Sequence, residues 1–276
     1  MEYWDGYLKQ YLRNRPLFLS VLRAKEAYLY QDYQTFEGPV LDFGCGDGFF
    51  AKIAFSRKSK IPASPAGRQN PKSKIKENII DVGLDIKESR IKEASEQGIY
   101  KKIVMYDGNI IPFKDNYFGT VVSNSVLEHV EGLGMALREI IRVLKPKGRL
   151  LTTVMAKPWE EYLWGAKIGG KYYKDYMRKK QVHINLLSKR HWDGQFKKAG
   201  FKIVKTIGHL DGFSSGLIDF LHYVSLPSLI TYKLFGKWVI YPQIADIIYP
   251  RKILMRLTRN NISPDLSGAL FYELTK

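Results

Sequence analysis

The stretch Val40-Leu41-Asp42-Phe43-Gly44-Cys45-Gly46-Asp47-Gly48 constrains this chain more than any other. Two apolar residues, an acid and an aromatic read as the end of a short buried strand. Three glycines at alternate positions then make a turn, and Phe49-Phe50-Ala51-Lys52-Ile53-Ala54 opens a helix over about 47–56. Glycine suits such a turn because it takes φ > 0 and lets a ligand approach the backbone closely. The helix that follows directs unpaired N–H groups at whatever lies in the crevice. The G-x-G-x-G spacing differs from the G-x-G-x-x-G of dinucleotide sites. The turn therefore predicts an α/β sheet with a nucleoside-type ligand at the carboxyl ends of its strands.

The next segments repeat the pattern of a strand that ends in an acid. Ile79 to Ile86 reads as a second strand, and Asp85 near its end can accept both hydroxyls of a ribose. Asp81 is a rival acid, placed in mid-strand. Lys87 to Gln97 reads as a helix stopped at Gly98. Lys102 to Tyr106 is a third strand, and Asp107-Gly108-Asn109 follows at its edge, where an acid can accept from an adenine amino group. Phe118 to Ser123 is a fourth strand, leaving through Asn124-Ser125-Val126-Leu127-Glu128-His129-Val130. Gly134 to Lys145 is amphipathic, with Ala136, Leu137, Ile140, Ile141 and Leu144 on one face. Pro146-Lys147-Gly148 ends that helix before a fifth strand, Arg149 to Val154.

Five motifs in this order resemble the class I S-adenosylmethionine-dependent methyltransferases, in the type 11 branch, over roughly residues 38–156. They are Leu-Asp-Phe-Gly-Cys-Gly-Asp-Gly; Gly-Leu-Asp-Ile; Asp107 before Ile-Pro-Phe; Phe118 through Val-Leu-Glu-His-Val; and Glu139 through Leu-Lys-Pro-Lys-Gly-Arg-Leu. The resemblance implies a Rossmann-like α/β fold, a mostly parallel sheet with helices on both faces, N-terminal helices and a C-terminal helical extension. It implies S-adenosyl-L-methionine as cofactor, S-adenosyl-L-homocysteine as product and no metal. By the same resemblance Asp42, Gly44 and Gly46 line the methionine and ribose side, and Asp85 and Ile86 hold ribose and adenine. Asp107 and Gly108 take the adenine amino edge, and Asn124 or Ser125 the methionyl end.

Around this core the chain divides into 1–37, an aromatic-rich helical cap; 38–210, the methyltransferase domain; and 211–276, an apolar and basic extension. Leu17 to Tyr30 repeats apolar residues at helical spacing after Pro16. The net charge of +17 sits mainly in two segments. Residues 57–78 carry 7 basic and 1 acidic side chains and read as an exposed insertion; residues 157–210 carry 13 and 4. Within the latter, 157–188 mixes Trp159, Tyr162, Trp164, Tyr172 and Tyr176 with lysines, a substrate-side region suited to an anionic, ring-bearing or lipid-linked acceptor. Ser188 is an N-cap for a helix that ends at Gly200, before a strand from Phe201. In 211–276, neither apolar run reaches the length of a membrane span. Two readings of that region stand: helices lying on an anionic membrane with Arg251, Lys252, Arg256 and Arg259 toward headgroups, or a buried subdomain or dimer surface.

Methyl transfer from a sulfonium is an in-line displacement, so alignment of the reactants is the main requirement, with a base where the acceptor carries a proton. His129 and His183 are the candidate bases. The single cysteine, Cys45, lies in the turn, which excludes a disulfide framework, a cysteine-rich zinc site and a cysteine nucleophile of the cytosine-carbon type. Ser123-Asn124-Ser125-Val126 lacks the Asp/Asn-Pro-Pro-Tyr motif of enzymes that methylate amino groups of DNA bases, and lacks the acidic pair of metal-dependent catechol enzymes. Small-molecule, lipid-linked or glycan-linked acceptors therefore rank ahead of nucleic acid, with O-methylation first. The start Met1-Glu2-Tyr3-Trp4-Asp5 has neither a basic cluster nor an apolar run, so the expected location is cytoplasmic, with peripheral contact to the inner membrane face left open. The alternative is a membrane-associated binding or scaffolding protein that keeps the fold without turnover.

Overall fold

A computed structural model describes residues 4–33, 36–55, 80–87, 89–258 and 261–276. The basic segment 57–78 lies outside the described residues. The glycine turn is the hinge of the architecture. β1 (Val40–Phe43) is buried along its whole length and passes through Gly44, Gly46 and Gly48, all at positive φ, into α3 (Phe49–Phe55). At Gly44 a Cβ would stand 2.4 Å from Val126 Cγ2, so both the backbone conformation and the close approach demand glycine there.

β1 is an interior strand, third in a seven-stranded sheet built with β2 (Ile80–Ile86), β3 (Tyr100–Tyr106), β4 (Phe118–Asn124), β5 (Leu144–Met155), β6 (Lys202–Gly208) and β7 (Ala269–Thr275). The order is β3-β2-β1-β4-β5-β7-β6. The pairs β1–β2, β1–β4, β2–β3 and β4–β5 are parallel, while β7 runs antiparallel to both β5 and β6. The chain order reverses on either side of β1, between β2 and β4, which is where ligands of open α/β sheets lodge.

One face of the sheet carries α1 (Asp5–Leu12), α2 (Leu17–Leu29) and α3, packed through Leu8, Tyr11, Ala24 and Tyr30. The other carries α5 (Leu133–Val143) and α8 (Lys189–Ala199), packed through Leu137, Ile140, Trp192 and Phe196. The expected cap helix and amphipathic helix are thus present with nearly the expected ends. Ser188 Oγ accepts from His191 N, and Gly200, at φ 105°, closes α8.

Three expectations are corrected. The helix expected from Lys87 to Gln97 shrinks to α4 (Ile91–Ala94) and a 3-10 turn at Ser95–Gln97, ending on Gly98 at φ 65°. Ser89 donates to the Ile86 carbonyl from both its N–H (3.2 Å) and its hydroxyl (2.8 Å), a turn that delays the helix. Pro146-Lys147-Gly148 does not separate helix from strand: β5 begins at Leu144, pairs with Phe118, and shifts register before Arg149 meets Thr120. Residues 211–276 are not wholly an extension, because β7 completes the sheet between β5 and β6. The seven residues Ala-Leu-Phe-Tyr-Glu-Leu-Thr make too short a run to declare their strand partners.

The helices after β5 are α6 (Pro158–Tyr162), α7 (Ala166–Lys180), α9 (Gly212–Val224), α10 (Leu226–Phe235), α11 (Pro242–Ile248) and α12 (Arg251–Leu257). α9 packs on α2 and α6, and α11 and α12 pack on α1, burying Ala245, Leu254 and Met255. Among the described residues no helix is long and apolar enough to cross a membrane.

Candidate active site

Two cavities open along the carboxyl ends of the strands and share Gly44, Ser125 and Val126 as a common wall. The larger, of about 670 Å³, is bounded by Asp85, Ile86, Asp107, Gly108, Ser125 and His129 among others. The smaller, of about 260 Å³, lies under the N-terminal helices between Tyr11, Arg15, Arg23, Gly46, Asn124 and Ser125.

β2 and β3 deliver the two acids of the larger cavity. Asp85 accepts from Gly46 N at 2.6 Å through Oδ2 and from Ile86 N at 2.8 Å through Oδ1. Its pKa is raised, with burial as the main cause and these backbone donors opposing it. A carboxylate has about four lone-pair positions, so two remain for a diol after these bonds. Asp107 is wholly exposed; its Oδ1 accepts from Asn109 N (2.9 Å) and Ile110 N (3.3 Å), and these bonds lower its pKa. Gly108, at φ 85°, follows it in the turn that closes on the Asp107 carboxylate. Asp81 accepts from Val40 N (2.7 Å) and pairs with Lys101, a strand-to-strand tie away from both cavities.

Asp42 does not reach either cavity wall, contrary to the expectation from the motif. It is buried beneath the turn, where its Oδ2 accepts from the Tyr100 hydroxyl at 2.6 Å. Burial pushes its pKa up to about 7. Its role is to brace the glycine turn through β3.

The smaller cavity owes its chemistry to α2. Arg15 just before it, and Leu19 and Arg23 within it, line the cavity at helical spacing, with Glu26 one turn beyond Arg23 on the same side. Glu26 is fully buried and collects three donors: Arg23 at 2.6 Å, Asn124 Nδ2 at 2.9 Å and Ser125 Oγ at 3.1 Å. Asn124 Oδ1 in turn accepts from Thr153 Oγ1 at 2.8 Å. Arg15 pairs with Asp47 at 2.5 Å and lies over the Phe49 ring, while Arg90 meets the same Asp47 at 2.6 Å. Tyr11, Arg15, Arg23, Glu26 and Arg90 escaped the sequence reading. For Arg23 and Glu26 the signal was present as an opposite-charge pair three residues apart within a largely apolar helix, which a search for apolar periodicity passes over.

His129 and His183 are brought together, ring centroids 5.3 Å apart and nearly parallel. His129 lines the larger cavity and His183 lies buried behind it. His129 Nδ1 lies 2.9 Å from the Val182 carbonyl, and a carbonyl only accepts, so Nδ1 carries the proton and Nε2 presents a lone pair. Burial lowers the pKa of His129, and burial with the neighbouring His129 and Arg23 lowers that of His183 to about 4. Glu128, fully buried beside them, has its pKa raised to about 7 by burial; Oε1 accepts from Met155 N at 3.3 Å, and among the described residues Oε2 has no hydrogen-bond partner.

The residues present fit S-adenosylmethionine in character: the carboxylates of Asp85 and Asp107 line the larger cavity, and across the shared wall Arg15 and Arg23 line the smaller one. Among the described residues no group of three or more His, Cys, Asp and Glu is placed to hold a metal. Sheet order, glycine turn and paired cavities together define a Rossmann-like fold of the class I methyltransferase type.

A family model described as "Methyltransferase domain" (Methyltransf_23) matches residues 9–206, and the chain belongs to this family of S-adenosylmethionine-dependent methyltransferases. It is 27% identical over 210 residues to the uncharacterized protein MJ1123 of Methanocaldococcus jannaschii, covering 74% of this chain and 81% of that one. It is 32% identical over 150 residues to a ubiquinone/menaquinone biosynthesis C-methyltransferase of Burkholderia multivorans, covering 54% of this chain and 56% of the relative. The chain thus spans about half the length of that quinone-biosynthesis relative. In fold it is similar to a methyltransferase of Thermotoga maritima described as a possible histamine N-methyltransferase, with TM-score 0.54 and 16% identity, covering 93% of this chain and 89% of that one. A Haemonchus contortus phosphoethanolamine N-methyltransferase solved with S-adenosylhomocysteine gives 0.53 and 17%, covering 91% of this chain and 52% of that one. The [4+2]-cyclase SpnF gives 0.54 and 18%, covering 92% and 80%.

Proposed function

We propose that the chain methylates an acceptor that must shed a proton as it is methylated, a hydroxyl oxygen first, on a small, lipid-linked or glycan-linked molecule. The observation that carries this reading is the stacked His129–His183 pair at the larger cavity, with the Val182 carbonyl on His129 Nδ1 so that Nε2 presents its lone pair; burial lowers the pKa of both rings and so favours their neutral forms. When bound, S-adenosylmethionine supplies a methyl group on a positively charged sulfur. The chain's own residues do the rest. Asp85 and Asp107 fix the nucleoside, Arg15 and Arg23 draw the carboxylate under α2, and Glu26 holds Asn124 and Ser125 at the shared wall between the cavities. His129 Nε2 receives the acceptor proton. α1 and α2 cover the smaller cavity and limit water beside the reacting centre.

Carbon methylation of an acidic ring system is the second reading. It is favoured by the C-methyltransferase relative and requires the same base. The binding module without turnover has less support, because a base of this kind adds nothing to binding alone.

The test is His129→Ala against wild type, with labelled S-adenosylmethionine offered to hydroxylated, phenolic and amine acceptors, and the product position read by NMR. Loss of a general base lowers kcat by about 10²–10⁴, with affinity for S-adenosylhomocysteine unchanged. Label found only on amine nitrogen, or full turnover by His129→Ala, would overturn the reading.

A further inference from the structure

The surface formed by the helices after β6 differs in character from the polar cavity walls. α10, Leu-Pro-Ser-Leu-Ile-Thr-Tyr-Lys-Leu-Phe, has no buried residue, and Ile230, Leu234 and Phe235 are 60%, 70% and 62% exposed. A helix that is apolar on most of its circumference belongs in an apolar medium on more than one side. It is not isolated. Phe220 on α9 meets Trp164 beside α7 edge-to-face at 5.9 Å, both of them exposed, so the apolar surface continues across three helices. Exposed apolar area of this extent on a folded chain marks an interaction site.

Charge decides what covers it. Lys233, Lys237, Lys252 and Arg256 on or beside α10–α12, and Lys167, Lys171 and Lys179 on α7, are all exposed. A second copy of this chain would bring the same cations face to face, which the like-charge cost disfavours. Anionic headgroups answer both features, because apolar side chains enter the acyl boundary while lysines and arginines meet phosphate. Aromatics stand where amphipathic rings settle at a bilayer boundary: Tyr241 is exposed, and Tyr232 stacks on Trp238 at 4.2 Å just past the end of α10. No described helix is long enough to span, so the helices lie on the surface.

We propose that the face formed by α9, α10 and the α7 margin docks on an anionic lipid surface. The face is tied to the site. α2 presents Leu19 and Arg23 to the smaller cavity and, on another side, Phe18 to α9, through a 3.4 Å bond from Phe18 N to Ser225 Oγ and a 4.5 Å ring contact with His222. A docked α9 thus sits one helix away from the cavity beneath α2.

The test uses the full chain in sedimentation with vesicles of phosphatidylcholine alone and of phosphatidylcholine with phosphatidylglycerol. The expected result is binding to the anionic vesicles that weakens in about 0.5 M salt. A triple variant, Ile230→Glu, Leu234→Glu and Phe235→Glu, lowers that binding by about tenfold or more while its melting temperature and its calorimetric affinity for S-adenosylhomocysteine stay as in wild type. A second variant, Lys233→Glu and Lys237→Glu, reduces binding to anionic vesicles and leaves the weak binding to neutral ones. Three results would overturn the proposal: no sedimentation with anionic vesicles, sedimentation indifferent to the triple variant, or a dimer that the triple variant dissociates. Because S-adenosylhomocysteine binding is read separately, failure here leaves the proposed reaction standing.

Discussion

The donor wall and the α9–α10 face use similar apolar residues for opposite ends. Behind the glycine turn, Leu41, Phe43 and Leu84 are buried to within 2% of completely, and the acids near them are each committed to a donor. On α10, leucine, isoleucine and phenylalanine stand in the open. Apolar content alone therefore says little about stability; what a side chain packs against decides whether it stabilises this fold or serves a surface outside it.

The sharpest way to break the comparison is Leu41→Ala, which truncates a fully buried side chain of the interior strand β1. It is expected to cost about 2–5 kcal/mol in chemical denaturation, and a loss below 1 kcal/mol would mean the sheet around β1 is looser than its burial indicates. Next in size, Asp85→Ala removes a partly buried acceptor at the end of β2. It should weaken S-adenosylhomocysteine binding by about 1.5–3 kcal/mol, the worth of a charge-assisted hydrogen bond, measured by calorimetry. Unchanged affinity would remove Asp85 from the ribose site.

A third test works through pH. The folded-state pKa of Glu128 is raised to about 7 from the ordinary 4.5, so the folded form holds a proton that the unfolded chain gives up. Its contribution to stability is present below the unfolded value and is lost as pH rises from 4.5 to about 7. Glu128→Gln should flatten that part of the stability–pH curve, its stability relative to wild type rising across the window and constant above it. His183, with its pKa depressed to about 4, works in the reverse sense: stability is lost as pH falls from its ordinary 6.5 toward 4, and that limb should survive in Glu128→Gln. An unchanged slope would show that Glu128 is ionised in the folded state at lower pH. The smallest effect is expected at the other pole of the comparison. Leu234→Ala should change stability by no more than about 0.5 kcal/mol, as befits a side chain that is 70% exposed; a larger loss would show that Leu234 contributes to the fold.

Much of the donor side was legible in the sequence because its signals are local. A glycine at positive φ, an acid at a strand end and an amphipathic period each concern a few consecutive residues. Gly44, Gly46, Asp85, Ile86, Asp107, Gly108, Asn124, Ser125 and His129 all lie on the cavity walls. Asp42 was misplaced because strand periodicity does not say that the Tyr100 hydroxyl, 58 positions away, would claim its carboxylate. Glu26 was overlooked because an acid in an apolar helix gains meaning only when Asn124 and Ser125 are found opposite it.

By itself the sequence determined the order of strands and helices up to β5, the glycine turn and the class of donor, since these rest on backbone preference and side-chain alternation over short spans. Only the tertiary structure decided that β7 completes the sheet between β5 and β6, that α2 brings Arg23 and Glu26, with Arg15 just before it, to Asn124 and Ser125 at the smaller cavity, and that α10 leaves its large apolar side chains exposed. Those three facts depend on which distant segments meet. An apolar run of seven or ten residues can pair as a strand, bury as a helix or wait for a surface, and its own residues do not choose among these.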